Sequence, residues 1–193
     1  MTFQILTFSL TSYLVGCICF GYYLTKYLTG KNLKETGSQS LGATNTSRIL
    51  GRKGFILTFT FDFLKGFLIA WIAIKYGFKE EYVFLFSLLV TIGHIWPVQL
   101  GFKGGKGVST YTGTMYATNY QAAFPVIVLF LPLYLVTRKF SIAGIFSLTV
   151  IPFFLWYLDY SIPCIAIGFV QIFILLYAHR KNISEFMSFG KFR

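Results

Sequence analysis

The chain has 193 residues, of which 55% are hydrophobic, 20% aromatic and only 12% charged, and its net charge is +11. With 23 Phe there is more apolar surface than a soluble domain of this length can bury, so a soluble globular fold is excluded and lipid must serve as solvent. The Lys and Arg residues gather in short stretches between apolar runs, which is the pattern of membrane topology and excludes the nucleic-acid partner that a soluble protein this basic would suggest.

Seven apolar stretches, near 3–26, 54–76, 82–101, 106–120, 122–138, 141–158 and 161–178, are read as crossing roughly 30 Å of hydrocarbon at about 1.5 Å per residue. The first has no basic leader and no small-residue cleavage site, so it reads as a retained helix and not a signal peptide. The fourth, rich in Thr, Tyr and Ser from Ser109 to Asn119, is the least hydrophobic and is expected to face other helices. Fourteen cations fall on one side of these spans: Lys26, Lys31, Lys34, Arg48, Arg52, Lys53, Lys103, Lys106, Arg138, Lys139, Arg180, Lys181, Lys191 and Arg193. The other side has Lys75 and Lys79, offset by Glu80 and Glu81. The positive-inside rule then puts the N-terminus outside and the C-terminus in the cytoplasm, which requires an odd number of spans and supports keeping the fourth. The expected fold is an all-α integral membrane protein of seven transmembrane helices, forming one domain over 1–193. Cys17, Cys19 and Cys164 lie inside spans and read as small apolar residues. With two His and six acids scattered along the chain, neither a metal site nor a cofactor is expected.

Polar residues with chemical potential collect on the cytoplasmic side. After the first span, 37–48 carries Ser38, Gln39, Ser40, Thr44, Asn45, Thr46, Ser47 and then Arg48. Such a loop can wrap an oxyanion with neutral donors while Arg48 adds a bidentate charge, or it can be a solvated loop whose hydroxyls cap the next helix. Asp62 and Lys65, three apart in the second span, share a helix face; they read equally as a functional pair and as a structural ion pair. His94 precedes Pro97, which ends the helix near the cytoplasmic rim, and is either a packing residue or a catalytic one. Gly101-Phe102-Lys103-Gly104-Gly105-Lys106-Gly107 follows, four glycines and two lysines between apolar runs. Bare backbone and mobile cations suit phosphate, although interfacial connectors share this composition. Beyond the last span, His179 and Asn182 share a face, able to converge on one ligand or to belong to a basic interfacial tail.

Together these segments resemble one family closely, the acyl-phosphate:glycerol-3-phosphate acyltransferases of bacterial phospholipid synthesis known as PlsY. The resemblance lies in Gly42-Ala43-Thr44-Asn45 with Arg48, in Gly93-His94 with Pro97 followed by Phe102-Lys103-Gly104-Gly105-Lys106-Gly107-Val108, and in His179-Arg180 with Asn182-Ile183. Asp62-Phe63-Leu64-Lys65-Gly66 and Tyr13-Leu14 with Gly16 and Gly21 are similar too, in order and in register over nearly the whole chain. The resemblance implies an enzyme of the bacterial cytoplasmic membrane that moves a fatty acyl group from acyl phosphate to the 1-hydroxyl of glycerol 3-phosphate. Lysophosphatidic acid and inorganic phosphate would be released, with no coenzyme A or acyl carrier protein at the transfer step. The partners are then acyl phosphate, glycerol 3-phosphate and membrane lipid, and the oligomeric state stays open. It implies catalytic roles for Ser38, Lys106, His179 and Asn182, and substrate binding by Thr44, Asn45, Arg48, His94, Lys103, Gly104, Gly105 and Ser141. Departures from the family pattern are Gln39 and Ser40 in place of Gly and Asn, Gly144 in place of a second serine, Glu185 in place of Arg, and Phe192 in place of an acid.

The chemistry suits this composition. Phosphate is already a good leaving group, so positioning and charge stabilisation suffice without a protein nucleophile. The hydroxyl's proton has two acceptors open to it, His179 and the substrate's own phosphate. Rival readings of the same basic face are a transporter of an anionic phosphorylated solute, a non-catalytic binder of such a solute or lipid, and an acyltransferase for another phosphorylated polyol. A transporter would be expected to show paired halves, and no internal repeat is visible.

Overall fold

The computed structural model describes residues 2–189; Lys191, Phe192 and Arg193, used above for charge and motif arguments, lie outside the described residues. The described chain is helical throughout. Its helices are α1 (Thr2–Gly16), α2 (Phe20–Thr29), α3 (Ala43–Lys75), α4 (Glu80–Ile95), α5 (Val108–Thr118), α6 (Ala123–Thr137), α7 (Phe140–Leu148), α8 (Ile151–Tyr157), α9 (Ile162–Ala178) and α10 (Arg180–Phe189). Single 3-10 turns at Leu33–Glu35, Val98–Leu100 and Tyr120–Ala122 stand in the connections. The chain divides after Thr118 into two compact units.

This is an all-helical membrane fold. Four stretches are long and apolar enough for a full crossing: Thr2–Thr29, Ala43–Lys75, Glu80–Leu100 and Phe140–Tyr157. A fifth is the pair Ile162–Ala178 and Arg180–Ser188, bent by 59°. Two of the expected seven spans are short helices: α6 has 15 residues, and α5 has 11, about 16 Å of helix. Lipid-facing side chains such as Phe3, Leu6, Leu10, Phe124, Val136 and Phe173 are widely exposed, as a bilayer allows.

Three boundaries differ from the sequence reading. The first span is broken at Cys17–Cys19 into α1 and α2. Within α3, Gly51 takes φ 64°, ψ −157°, so α3 is two helical pieces joined across a kink. And 43–48, read above as the end of a loop, forms the first turns of α3, with Gly42 as N-cap. The motif Ala43-Thr44-Asn45 therefore sits on a helix N-terminus, where its backbone can be held rigidly.

In the first unit the helices approach through glycines. A Cβ on Gly66 would lie 3.0 Å from the Thr110 carbonyl carbon, and one on Gly113 would lie 2.9 Å from that of Phe63, so α3 and α5 cross at backbone contact. Gly16 and Gly93 do the same for α1 and α4, with 2.9 Å to Val90 C and 3.0 Å to Tyr13 C. In lipid, where burial of apolar surface gives helices no reason to associate, this close approach is what lets them pack. Ile69, Ala70, Ala73, Val83, Phe86 and Val90 form one core, extended by a cluster of Phe8, Phe78 and Phe86 rings. A second, of Cys19, Leu33, Leu41 and Leu100, lies beneath the polar loops and anchors them.

Candidate active site

Asn45 organises the hydroxyl loop from within. Its side chain is buried, its Oδ1 accepts from the Ser38 amide at 3.0 Å, and its Nδ2 donates to the carbonyls of Thr36 (3.0 Å), Ser40 (2.9 Å) and Leu33 (3.3 Å). The amide thus ties four points of the loop to the first turn of α3, leaving Ser38, Thr44 and Arg48 exposed. Gly37 turns at φ 54°, and a side chain there would meet Arg48 Nη1 at 2.7 Å and Cδ at 2.9 Å, so the arginine lies along the bare backbone. Gln39 adopts φ 59°, the left-handed conformation, at the position where the resembled family has glycine.

The glycine-lysine loop folds back on the end of α4. Gly104 N–H donates to the Ile95 carbonyl and Gly105 N–H to the His94 carbonyl, each at 3.0 Å. These two amides are therefore engaged by α4, and the glycines serve close packing: a Cβ on Gly104 would meet Pro97 Cδ at 2.6 Å, and one on Gly105 the His94 ring, with Cε1 at 2.7 Å and Cδ2 at 2.9 Å. Leu41 N–H donates to the Gly104 carbonyl at 3.1 Å, joining the hydroxyl loop to the lysine loop. Lys34 Nζ adds a second tie, to the Leu100 carbonyl at 2.7 Å. Lys103 is exposed and Lys106 half-buried, so this unit brings Ser38, Thr44, Arg48, Lys103 and Lys106 onto loops pinned to one another.

Beneath them lies a polar cluster inside the membrane helices. Lys65 Nζ sits 2.9 Å from Asp62 Oδ1, 2.8 Å from His94 Nδ1, 2.7 Å from the Ile18 carbonyl and 3.1 Å from that of Gly16. Gln99 Nε2 donates to the Cys17 carbonyl at 2.7 Å. The Gly16, Cys17 and Ile18 carbonyls at the break are thus taken by two side chains, as backbone groups freed in lipid require. His94 is buried under Gly105 and does not sit on the exposed loop surface. Between Cys17 and Cys19 no proline or glycine marks this break, whose partners Lys65 and Gln99 are remote in the chain; Tyr13, whose hydroxyl donates to the Trp96 carbonyl at 2.9 Å, is another link visible only in three dimensions.

In the second unit His179 stands between α9 and α10, buried, with Nδ1 2.8 Å from the Leu175 carbonyl. A carbonyl only accepts, so Nδ1 carries a hydrogen and the neutral ring has its lone pair on Nε2. Asn182 lies one turn on in α10, half-buried. Arg180 donates to the Tyr177 carbonyl at 2.9 Å and stacks 4.3 Å over the Tyr177 ring. Ser141 is in the first turn of α7, and Lys139 before it lies 5.5 Å over the Phe186 ring of α10. Gly144 is buried with open space beside it, so the serine common in the family would fit. Among the described residues, no three His, Cys, Asp or Glu side chains gather as metal ligands would.

Fold and site together define an integral membrane protein that presents hydroxyls and cations on pinned, glycine-rich loops at helix ends. The family model described as glycerol-3-phosphate acyltransferase matches residues 6–188. The chain is 37% identical over 178 residues to the glycerol-3-phosphate acyltransferase of Aquifex aeolicus (strain VF5), covering 92% of each. It is 36% identical over 180 residues to glycerol-3-phosphate acyltransferase 1 of Desulfitobacterium hafniense (strain Y51), covering 93% of this chain and 89% of that one. Its structure is similar to the crystal structure of PlsY, an integral membrane glycerol 3-phosphate acyltransferase, in its glycerol 3-phosphate form, with a TM-score of 0.89 at 35% identity over 96% of this chain and 92% of that one. The lysophosphatidic acid form gives 0.86 at 34% identity over the same shares. The chain belongs to the glycerol-3-phosphate acyltransferase family.

Proposed function

We propose that the chain transfers a fatty acyl group from acyl phosphate to the 1-hydroxyl of glycerol 3-phosphate, releasing lysophosphatidic acid and inorganic phosphate. It is a membrane glycerol-3-phosphate acyltransferase, and we place it in the bacterial cytoplasmic membrane as a single domain over 1–193. Seven crossings, with the N-terminus outside and the C-terminus in the cytoplasm, agree with the distribution of cations. The short α5 and α6 count among the seven.

The observation that carries this reading is the Leu41 N–H to Gly104 carbonyl bond, which holds the loop bearing Ser38, Thr44 and Arg48 against the loop bearing Lys103 and Lys106. Two substrates each bearing a phosphate call for two cationic elements, and here those elements are joined. Arg48 binds the acceptor's phosphate in bidentate fashion, and Ser38 and Thr44 supply neutral donors. Lys103 and Lys106 stabilise the charge that grows on the departing phosphate. Asn45, Gly104, Gly105 and His94 shape the loops. In the second unit, Ser141, His179 and Asn182 are the candidate polar residues. The hydroxyl oxygen bonds to the acyl carbon, the acyl carbon–phosphate oxygen bond breaks, and the hydroxyl proton leaves with the released phosphate.

The transporter reading has less to stand on. A transporter turns the freed carbonyls of a broken helix toward its solute, whereas those of Gly16, Cys17 and Ile18 are bound by Lys65 and Gln99. The test is phosphate release by the purified protein given acyl phosphate, with and without glycerol 3-phosphate. Release that depends on the acceptor is expected; release at the same rate without it would refute the assignment.

A further inference from the structure

We infer that Lys65 is a positioning residue for the cationic loop, acting on Gly104–Lys106 through the ring of His94. Its kinetic consequence rests on the acyltransferase reading; its structural consequence does not. The cluster is a chain of contacts in a definite order. Lys65 Nζ bridges the two sides of the α1–α2 break through the Gly16 and Ile18 carbonyls, is paired with Asp62, and reaches His94 Nδ1 at 2.8 Å. An ammonium can only donate, so His94 Nδ1 accepts, and the neutral ring keeps its hydrogen on Nε2. Asp62 Oδ1, at 3.5 Å from the same nitrogen, then acts on the ring only through Lys65. The other edge of the imidazole faces Gly105 so closely that no side chain fits between them. From there the contacts run to the substrate-facing loops: Gly105 and Gly104 amides on the His94 and Ile95 carbonyls, and the Gly104 carbonyl on the Leu41 amide. Cys19 Sγ, 3.6 Å from the His94 carbonyl, closes the cluster back onto α2.

A lone structural ion pair would neutralise Asp62 and stop there. The Lys65 side chain is 9% exposed and has three protons for its carbonyl and imidazole partners, so its position is fixed by the break and the ring together. Anything that releases its grip frees the imidazole to turn and the glycine loop to lift. The partners of Lys65 Nζ are Asp62, His94 and the Gly16 and Ile18 carbonyls, and its effect is on where Lys103 and Lys106 stand.

The test uses the full chain in lipid nanodiscs, with two variants. The first is Lys65→Met combined with Asp62→Asn, so that no carboxylate is stranded; the second is Lys65→Arg, which keeps the charge but not the compact four-way geometry. Hydrogen–deuterium exchange is followed in a peptide over 101–107 and in one over α5. Loss of folded protein lowers kcat in proportion and leaves KM alone, whereas a displaced loop raises KM for the phosphate substrates. The double variant is expected to raise KM for at least one of the two substrates by about tenfold or more and to speed exchange over 101–107, with α5 unchanged. Unchanged KM and unchanged exchange over 101–107 would overturn the inference. If α5 also loses protection in the double variant, Lys65→Arg decides: a smaller rise in KM with faster loop exchange supports the role, and wild-type values for both refute it. A wild-type protein without turnover would refute the acyltransferase reading instead, and exchange over 101–107 would then decide the role of Lys65 by itself.

Discussion

Gly105→Ala places one methyl group where the fold has no room. The new carbon would stand 2.7 Å from His94 Cε1 and 2.9 Å from Cδ2, with Nε2 closer still. Ordinary contact between such atoms begins near 3.5 Å, so the loop or the ring must move by about an ångström. The ring is the worse candidate, because it is buried and held at Nδ1 by Lys65 at 2.8 Å. The loop moves instead, loosening the Gly105 amide from the His94 carbonyl and carrying Lys106 with it. Misplacing a positioning group by roughly 1 Å costs on the order of a hundredfold in rate, about 2.7 kcal/mol of barrier. Overpacking adds about 1–3 kcal/mol of lost stability, which leaves room for a folded variant. Steady-state phosphate release with both substrates varied, beside thermal unfolding in detergent, measures the two effects apart. A variant within about threefold of wild type in kcat/KM would show that the contact is slack and that the glycine is not needed for close approach.

Lys106→Ala is expected to lower turnover by about a hundredfold or more while the protein stays folded, since one fixed donor to developing charge is typically worth that much; wild-type turnover at saturating substrate would reduce the lysine to a topology signal. Arg48→Lys keeps the charge and loses the bidentate fork, so KM for glycerol 3-phosphate rises more than KM for acyl phosphate, and equal rises would count against the assignment. Gln39→Gly removes a side chain from the left-handed backbone at φ 59° and is expected to raise stability by about 1 kcal/mol with activity changed less than about tenfold; a hundredfold gain on glycerol 3-phosphate would instead point to another phosphorylated polyol as the native acceptor. Gly113→Ala and Gly144→Ala form a contrasting pair: the first drives a methyl into the Phe63 backbone and destabilises by about 1–3 kcal/mol, whereas the second fills open space in a helix and stabilises by about 0.5–1 kcal/mol, and unfolding curves that ranked them the other way would contradict the packing described.

What could be read in the sequence followed from effects local to a segment. Hydrophobic runs, the Gly37–Arg48 hydroxyls, the proline that ends α4 and the Gly101–Gly107 loop all declare themselves within a few residues. What could not be read depends on partners far apart in the chain. The break at Cys17–Cys19 contains no proline or glycine within it and exists because Lys65 and Gln99 take its carbonyls. Asn45 looks like a ligand-facing amide in sequence, yet its donors and acceptor are turned onto the backbone of 33–40. Gly104 and Gly105 look like open phosphate donors, and only the fold shows their amides directed at α4. The open choice between a functional and a structural role for Asp62 and Lys65 had the same origin, because His94 and the α1–α2 break that meet Lys65 are invisible from the second span alone.

The most direct measurement of the central claim is the identity and stoichiometry of the products formed by the purified protein from four pairings: acyl phosphate or an acyl thioester as donor, and glycerol 3-phosphate or glycerol as acceptor. Mass spectrometry with phosphate determination is expected to find 1-acylglycerol 3-phosphate and inorganic phosphate in equal amounts from acyl phosphate with glycerol 3-phosphate, and no acylated product from the other pairings. Equal acylation of glycerol, or equal use of the thioester, would contradict a site built from two joined cationic loops for two phosphate-bearing substrates.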